Sequence, residues 1–156
     1  MRNTKPQKKQ IKIALQIRTH RSFIPSRYYL QRWVNRALQD RTQATEITLR
    51  LVDKKEATEL NETFRHKKGP TNILSFPFEP PPEIHSPLLG DLVICAVLVN
   101  QEAKQQHKTR IAHWAHLVIH GCLHLVGYDH SDPKDALKME TLEIQLLEEL
   151  GYENPY

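Results

Sequence analysis

The chain has 156 residues, 39% of them apolar, with 22 basic and 18 acidic side chains, the size and balance of one folded domain and not of a disordered or fibrous chain. No apolar run reaches bilayer-crossing length and the basic start has no signal-peptide hydrophobic stretch behind it, so no membrane partner is expected and the default compartment is the cytoplasm. The formal charge of +4 comes from Arg2, Lys5, Lys8 and Lys9, with 18 basic against 18 acidic residues beyond them, so a nucleic-acid surface would need local segregation of charge.

Residues 1–10 read as a flexible basic tail, by default a solubilising terminus and alternatively a contributor to RNA binding. Residues 11–156 read as a single domain. Positions 11–17 alternate apolar and polar residues and predict a strand. Pro25 and Ser26 introduce a helix over 28–38 with Tyr29, Trp33 and Ala37 on its packed face. A second strand is predicted over 47–52, then a helix over 54–64 with Ala57, Leu60 and Phe64 inward. Arg65-His66-Lys67-Lys68 forms a short basic cluster.

Residues 70–77 predict a strand begun and ended by prolines, and 79–87, with four prolines, a constrained loop. A further strand is expected over 89–96, a helix over 97–108, and a histidine-bearing helix over 111–126. Ser131-Asp132-Pro133 opens a last amphipathic helix to about residue 150, with Ser131 as cap and Leu137, Leu142, Ile144, Leu146 and Leu147 packing inward. The order βαβαββααα predicts an α+β domain, a small mixed sheet covered by helices with the histidine helix at its centre. Cys95 and Cys122 form no CxxC pattern and are expected as buried thiols.

His120 and His124 stand one helical turn apart and share a face. Gly127 is placed to end that helix in a left-handed conformation and turn the chain so that His130 returns. Three neutral imidazoles with an open fourth position suit a catalytic metal, with one zinc ion the best fit. Bound metal could acidify water, polarise a phosphoryl or carbonyl oxygen and orient the reacting group. His113 and His116 lie on the same face but are not needed as ligands. Asp129 could orient a ligand histidine or fix the turn. The spacing His-x3-His-x2-Gly-x2-His is also the skeleton of a zinc peptidase motif, but those enzymes carry a glutamate base directly after the first histidine. Gly121 stands there, which weakens proteolysis.

Several segments together resemble the YbeY family of bacterial endoribonucleases: Leu60-Asn61-Glu62-Thr63-Phe64-Arg65, Pro70-Thr71-Asn72-Ile73-Leu74-Ser75-Phe76-Pro77, Gly90-Asp91-Leu92-Val93-Ile94, the stretch from His120 to His130, and Met139-Glu140. The resemblance runs from about Ile11 to the end. It implies one α+β domain, zinc held by His120, His124 and His130, and action on single-stranded RNA, particularly in 16S ribosomal RNA 3′-end maturation and ribosome quality control. It also places an RNA-processing role on Arg65, which composition alone would read as a solvated surface arginine. A guanidinium can pair bidentately with phosphate and stabilise charge during phosphoryl transfer. Lys67 and Lys68 could guide the RNA backbone. For Phe76 and Tyr128, core or rim packing competes with base stacking. Asn72 and Ser75 could meet RNA or satisfy nearby backbone groups, and Asp91 could support a histidine or close a turn.

The expected function is a zinc-dependent, single-strand-specific endoribonuclease. Its expected partners are 16S ribosomal RNA and the ribosome or its proteins, and it is expected to act as a monomer. A noncatalytic, zinc-stabilised ribosome-assembly factor is the alternative of a different class, and a zinc peptidase the nearest enzyme alternative.

Overall fold

The apolar periodicities settle into four strands and five helices in the computed structural model, which describes residues 10–20 and 22–156. Residues 1–9, and with them nearly all of the expected basic tail, lie outside the described residues. The elements run β1 (Lys12–Arg18), α1 (Arg27–Leu38), β2 (Glu46–Val52), α2 (Lys54–Arg65), β3 (Ile73–Pro77), β4 (Leu88–Cys95), α3 (Ala96–Gln105), α4 (Arg110–Leu125) and α5 (Pro133–Glu149). This is the predicted α+β order. Strand β3 begins three residues after Pro70, leaving the segment before it as irregular cleft wall.

The sheet order is β1-β2-β4-β3, with β1, β2 and β4 parallel and β3 antiparallel to β4 at the edge. The second half of β4, Leu92 to Cys95, is covered on both faces, so it is an apolar run instead of an alternating one. Its Leu92 and Ile94 enter the main core with α1, α3, α4 and α5, while Val93 and Cys95 join Val52, Ala57 and Leu74 in a smaller cluster under α2. Trp33 and Trp114 are fully buried, and the Trp114 Nε1–H donates to Asn100 Oδ1 at 2.8 Å, as an indole inside a core must. Cys122 is buried, which raises its thiol pKa, and both cysteines are free. No helix among the described residues is long and apolar enough to cross a membrane.

Three local expectations change. The cap of α5 is Asp132, not Ser131: its carboxylate accepts from the Lys134 and Asp135 amides at 2.9 Å each, ahead of Pro133 in the first turn. Phe64 is 58% exposed, because α2 buries Ala57 and Asn61 and leaves Phe64 at the rim, edge-on to Phe76 with 5.5 Å between centroids. Leu137 is 65% exposed, since the buried stripe of α5 is Met139, Glu143, Leu146 and Leu147.

Candidate metal centre

Helix α4 starts at Thr109, whose hydroxyl accepts from the Ala112 amide at 3.1 Å, and runs through the middle of the molecule between the sheet and the other helices. Its end follows from Gly127. With φ of +100° this residue lets the Tyr128 amide donate to the Leu123 carbonyl (3.0 Å) and its own amide to the His124 carbonyl (3.1 Å). That pair of bonds satisfies the last carbonyls and reverses the chain. Asp129 Oδ1 lies 3.9 Å from His130 Nδ1 and accepts from the His130 amide at 2.7 Å, a bond that fixes the turn. This bond is also the main cause of its lowered carboxyl pKa.

The reversal brings His130 back beside His120 and His124. The ring centroids are 4.6 Å apart for His120 and His124, 4.9 Å for His124 and His130, and 5.4 Å for His120 and His130. One nitrogen from each ring lies within 4.8 Å of the others, so the three can hold a single ion. The Nε2 atoms of His120 and His124 sit 3.1 Å apart, close enough to share one proton or to aim two lone pairs at one cation. The His124 pKa is lowered, first by burial and then by its two histidine neighbours, which favours the neutral, metal-binding form.

A residue not singled out from the sequence organises these imidazoles. Glu143 of α5 is fully buried. Its Oε1 lies 2.5 Å from His120 Nδ1 and its Oε2 2.8 Å from His116 Nε2. A hydrogen bond from Nδ1–H to a carboxylate fixes the tautomer and leaves Nε2 as the lone-pair donor, the usual support for a metal-binding histidine. Burial alone would raise the Glu143 carboxyl. The bonds from His116 and His120, the charge of His120 and the Tyr156 hydroxyl outweigh that and bring it down to about 2. His116 therefore sits behind the triad. His116, His120 and Glu143 form a second group able to hold an ion, but it competes for His120 and for the bond that orients it. His113 is buried, with Nε2 3.6 Å from Glu102 Oε1, inside ion-pair reach but outside hydrogen-bond length.

The triad opens into a cleft of about 660 Å³ whose other walls include Arg65, Lys67, Asn72, Ser75 and Tyr128. Arg65 closes α2 and is exposed. Its Nη2 donates to the Ser75 carbonyl on edge strand β3 at 2.6 Å, and the guanidinium lies 5.5 Å from the Phe76 ring centre. Lys67 reaches the cleft through a turn built on left-handed His66 (φ +56°) and held by buried Asn61, whose amide donates to the Gly69 carbonyl at 2.9 Å. Lys68 does not line the cleft. Asn72 is engaged with Glu102 (3.1 and 3.2 Å) and the Ser75 hydroxyl with the Gly121 carbonyl (3.5 Å). Phe76 and Asp91 line a separate hollow on the opposite face of the sheet, so Asp91 neither supports a histidine nor closes a turn.

Gly121 faces the sheet. A Cβ there would fall 2.6 Å from Ile73 Cδ1 and 2.9 Å from Leu92 Cδ2. The glutamate of a peptidase motif would place a carboxylate in this apolar seam, at a heavy desolvation cost. The packing that seats α4 on β3 and β4 thus opposes the peptidase alternative.

Comparison with known proteins agrees with this geometry. The sequence model described as Endoribonuclease YbeY matches residues 15–151. The fold is similar to the solution structure of TM1509 from Thermotoga maritima, with a TM-score of 0.55 and 22% identity over 88% of this chain and 92% of that one.

Proposed function

The chain belongs to the YbeY family of endoribonucleases, and from that premise we propose that it cleaves single-stranded RNA with one zinc ion held by His120, His124 and His130 and with Arg65 as the catalytic cation. The observation that carries this reading is the convergence of the three imidazoles in a cleft that Arg65 and Lys67 also line. The donor set fits zinc: three nitrogens, one oriented by a buried carboxylate, and a side open to the cleft. Bound there, zinc would supply Lewis acidity to polarise a phosphoryl oxygen and acidify water.

The protein's own residues do the rest. Arg65 presents a guanidinium to phosphate, and its bond to the Ser75 carbonyl limits where that guanidinium can sit. Lys67 adds backbone attraction without sequence choice. Tyr128, half-buried on the cleft wall, offers an aromatic face to an unstacked base. An open cleft of this size admits a flexible strand more readily than a duplex. The finer assignment, resting on the family resemblance, is maturation of the 16S ribosomal RNA 3′ end and ribosome quality control. We place it with a monomer working in the cytoplasm on the ribosome.

The test is cleavage of end-labelled RNA carrying an unprocessed 16S 3′ end by the zinc-loaded protein, beside His120→Ala and Arg65→Ala variants shown to fold. Discrete products lost in both variants are expected, and a 2′,3′-cyclic phosphate end would identify the ribose hydroxyl as nucleophile. Equal cleavage by wild type and His120→Ala would refute metal catalysis. RNA binding with no cleavage under any metal would favour the noncatalytic assembly factor.

A further inference from the structure

Tyr156 has no part in the cleft, yet its side chain reaches the buried carboxylate that orients His120. Its hydroxyl donates to Glu143 Oε2 at 2.5 Å. The same oxygen meets His116 Nε2, while Oε1 holds His120 Nδ1. A continuous path therefore runs from the Tyr156 hydroxyl through Glu143 to the His120 ring, whose Nε2 faces His124. The Tyr156 ring also stands edge-on to His116, with 5.3 Å between centroids. The segment that carries it is tied down: left-handed Gly151 turns the chain after α5, and the Lys108 ammonium donates to the Pro155 carbonyl at 2.6 Å.

Hydrophobic packing is a poor explanation for this arrangement. Tyr156 is 62% exposed, so its ring adds little to the core, and the buried end of the side chain is the polar one. A carboxylate oxygen inside a protein is costly to leave underpaired. Without the phenol, Oε2 would keep only His116, itself a side chain with Nδ1 buried and unpartnered. The carboxylate would then be held by the two histidines alone, and its orientation toward His120 would be less firmly fixed.

We propose that Tyr156 is a positioning residue for the metal centre: it pins Glu143 so that Glu143 pins His120 for the ion. This rests on the zinc reading given above. Outer partners of metal-binding histidines typically change affinity by about 10- to 100-fold. One step further out, Tyr156→Phe should fall near the lower end, about tenfold.

The experiment is a competition titration of Zn²⁺ against a chromophoric chelator for the full chain, Tyr156→Phe, Glu143→Gln and the double variant, with Co²⁺ absorption spectra at saturating metal. Expected results are about tenfold weaker zinc binding by Tyr156→Phe, a shifted Co²⁺ spectrum, and no further loss of affinity when Tyr156→Phe is added to Glu143→Gln. Wild-type affinity in Tyr156→Phe overturns the proposal, and so does the same tenfold loss in the Glu143→Gln background, since the tyrosine would then act by another route. Should Glu143→Gln fail to fold, the affinity and Co²⁺ spectrum of Tyr156→Phe decide alone, and wild-type values for both overturn it. A wild-type chain that binds no zinc sensitive to His124→Ala would instead refute the metal reading beneath the proposal.

Discussion

Gly127→Ala separates the turn that delivers His130 from the chemistry of the imidazoles. Nothing lies within 4 Å of where the new Cβ would sit, and φ is +100°, so the substitution meets no steric wall and only backbone strain. Holding an L-residue in a left-handed conformation costs about 1–2 kcal/mol. The metal-loaded protein needs the turn intact and should lose that full amount. The metal-free protein can relax, because the His130 side chain is exposed and its amide is held, among the described residues, by neighbouring Asp129 alone. Whatever strain it sheds reappears as weaker metal binding, up to about 5- to 30-fold for 1–2 kcal/mol.

Gly69→Ala is the matched control. That residue also has positive φ (+80°) and empty space around it, but it delivers no ligand. Both variants should melt roughly 2–8 °C lower when zinc-loaded, and only Gly127→Ala should bind zinc more weakly. Thermal unfolding with and without zinc, together with chelator competition, measures both quantities. An unshifted melting temperature for loaded Gly127→Ala would refute the strain argument. An affinity loss far beyond about 30-fold would show that the glycine does more than permit the turn.

Arg65→Lys keeps the charge but loses the planar fork, and because Arg65 is exposed its stability should stay within about 0.5 kcal/mol of wild type; RNA cleavage should fall at least tenfold in the same preparation, and unchanged cleavage would demote it to a surface cation. Zinc affinity should fall as pH drops into the acid range, because protons compete for the ligand nitrogens, and the lowered pKa of His124 moves its own share of that competition below the ordinary histidine value of 6.5. By the same sign, whatever stability neutral His124 gives the metal-free fold is present above pH 6.5 and is lost as pH falls through its lowered value. A chelator should abolish cleavage but leave far-UV circular dichroism intact, because the main core closes on α1, the sheet and α3 to α5 without the triad; collapse on chelation would make the ion structural. Gly121→Glu should fail to fold and should show no peptidase activity, and a folded variant would remove the packing objection to that chemistry.

Local chemistry was legible where one segment decides its own outcome. The His120–His124 pair, the Gly127 reversal and the return of His130 all lie within eleven residues, and helical geometry fixes their relation. The element order followed from periodicities of similar range. Two inward faces were misjudged, at Phe64 and Leu137, because apolar character does not reveal how far a neighbouring layer extends over a helix end. The cap shift from Ser131 to Asp132 is a choice between adjacent good caps that only the backbone resolves. Asp91 was open between supporting a histidine and closing a turn, yet from Asp91 to Cys95 the odd positions of β4 face α2 and the even ones face α4, and a one-residue change in register would have exchanged them.

Glu143 is a different kind of omission. Met139, Glu143, Leu146 and Leu147 fall on one helical stripe, and a lone carboxylate in an apolar stripe requires a buried partner, because an unpaired charge there costs several kcal/mol. That much can be read from the sequence. Which partner it finds cannot, since His116 and His120 lie 27 and 23 residues away on another helix and only the packing of α5 on α4 brings them together. The same packing explains why His113, His116, His120 and His124 share one face but divide their duties. Toward the α4 C-terminus, His120 and His124 reach the cleft; toward its start, His116 turns to the carboxylate beneath, and His120 touches both. A metal site assembled this way depends on α5 as much as on the motif. Disturbing the α4–α5 contact should therefore weaken zinc binding while every ligand remains in place.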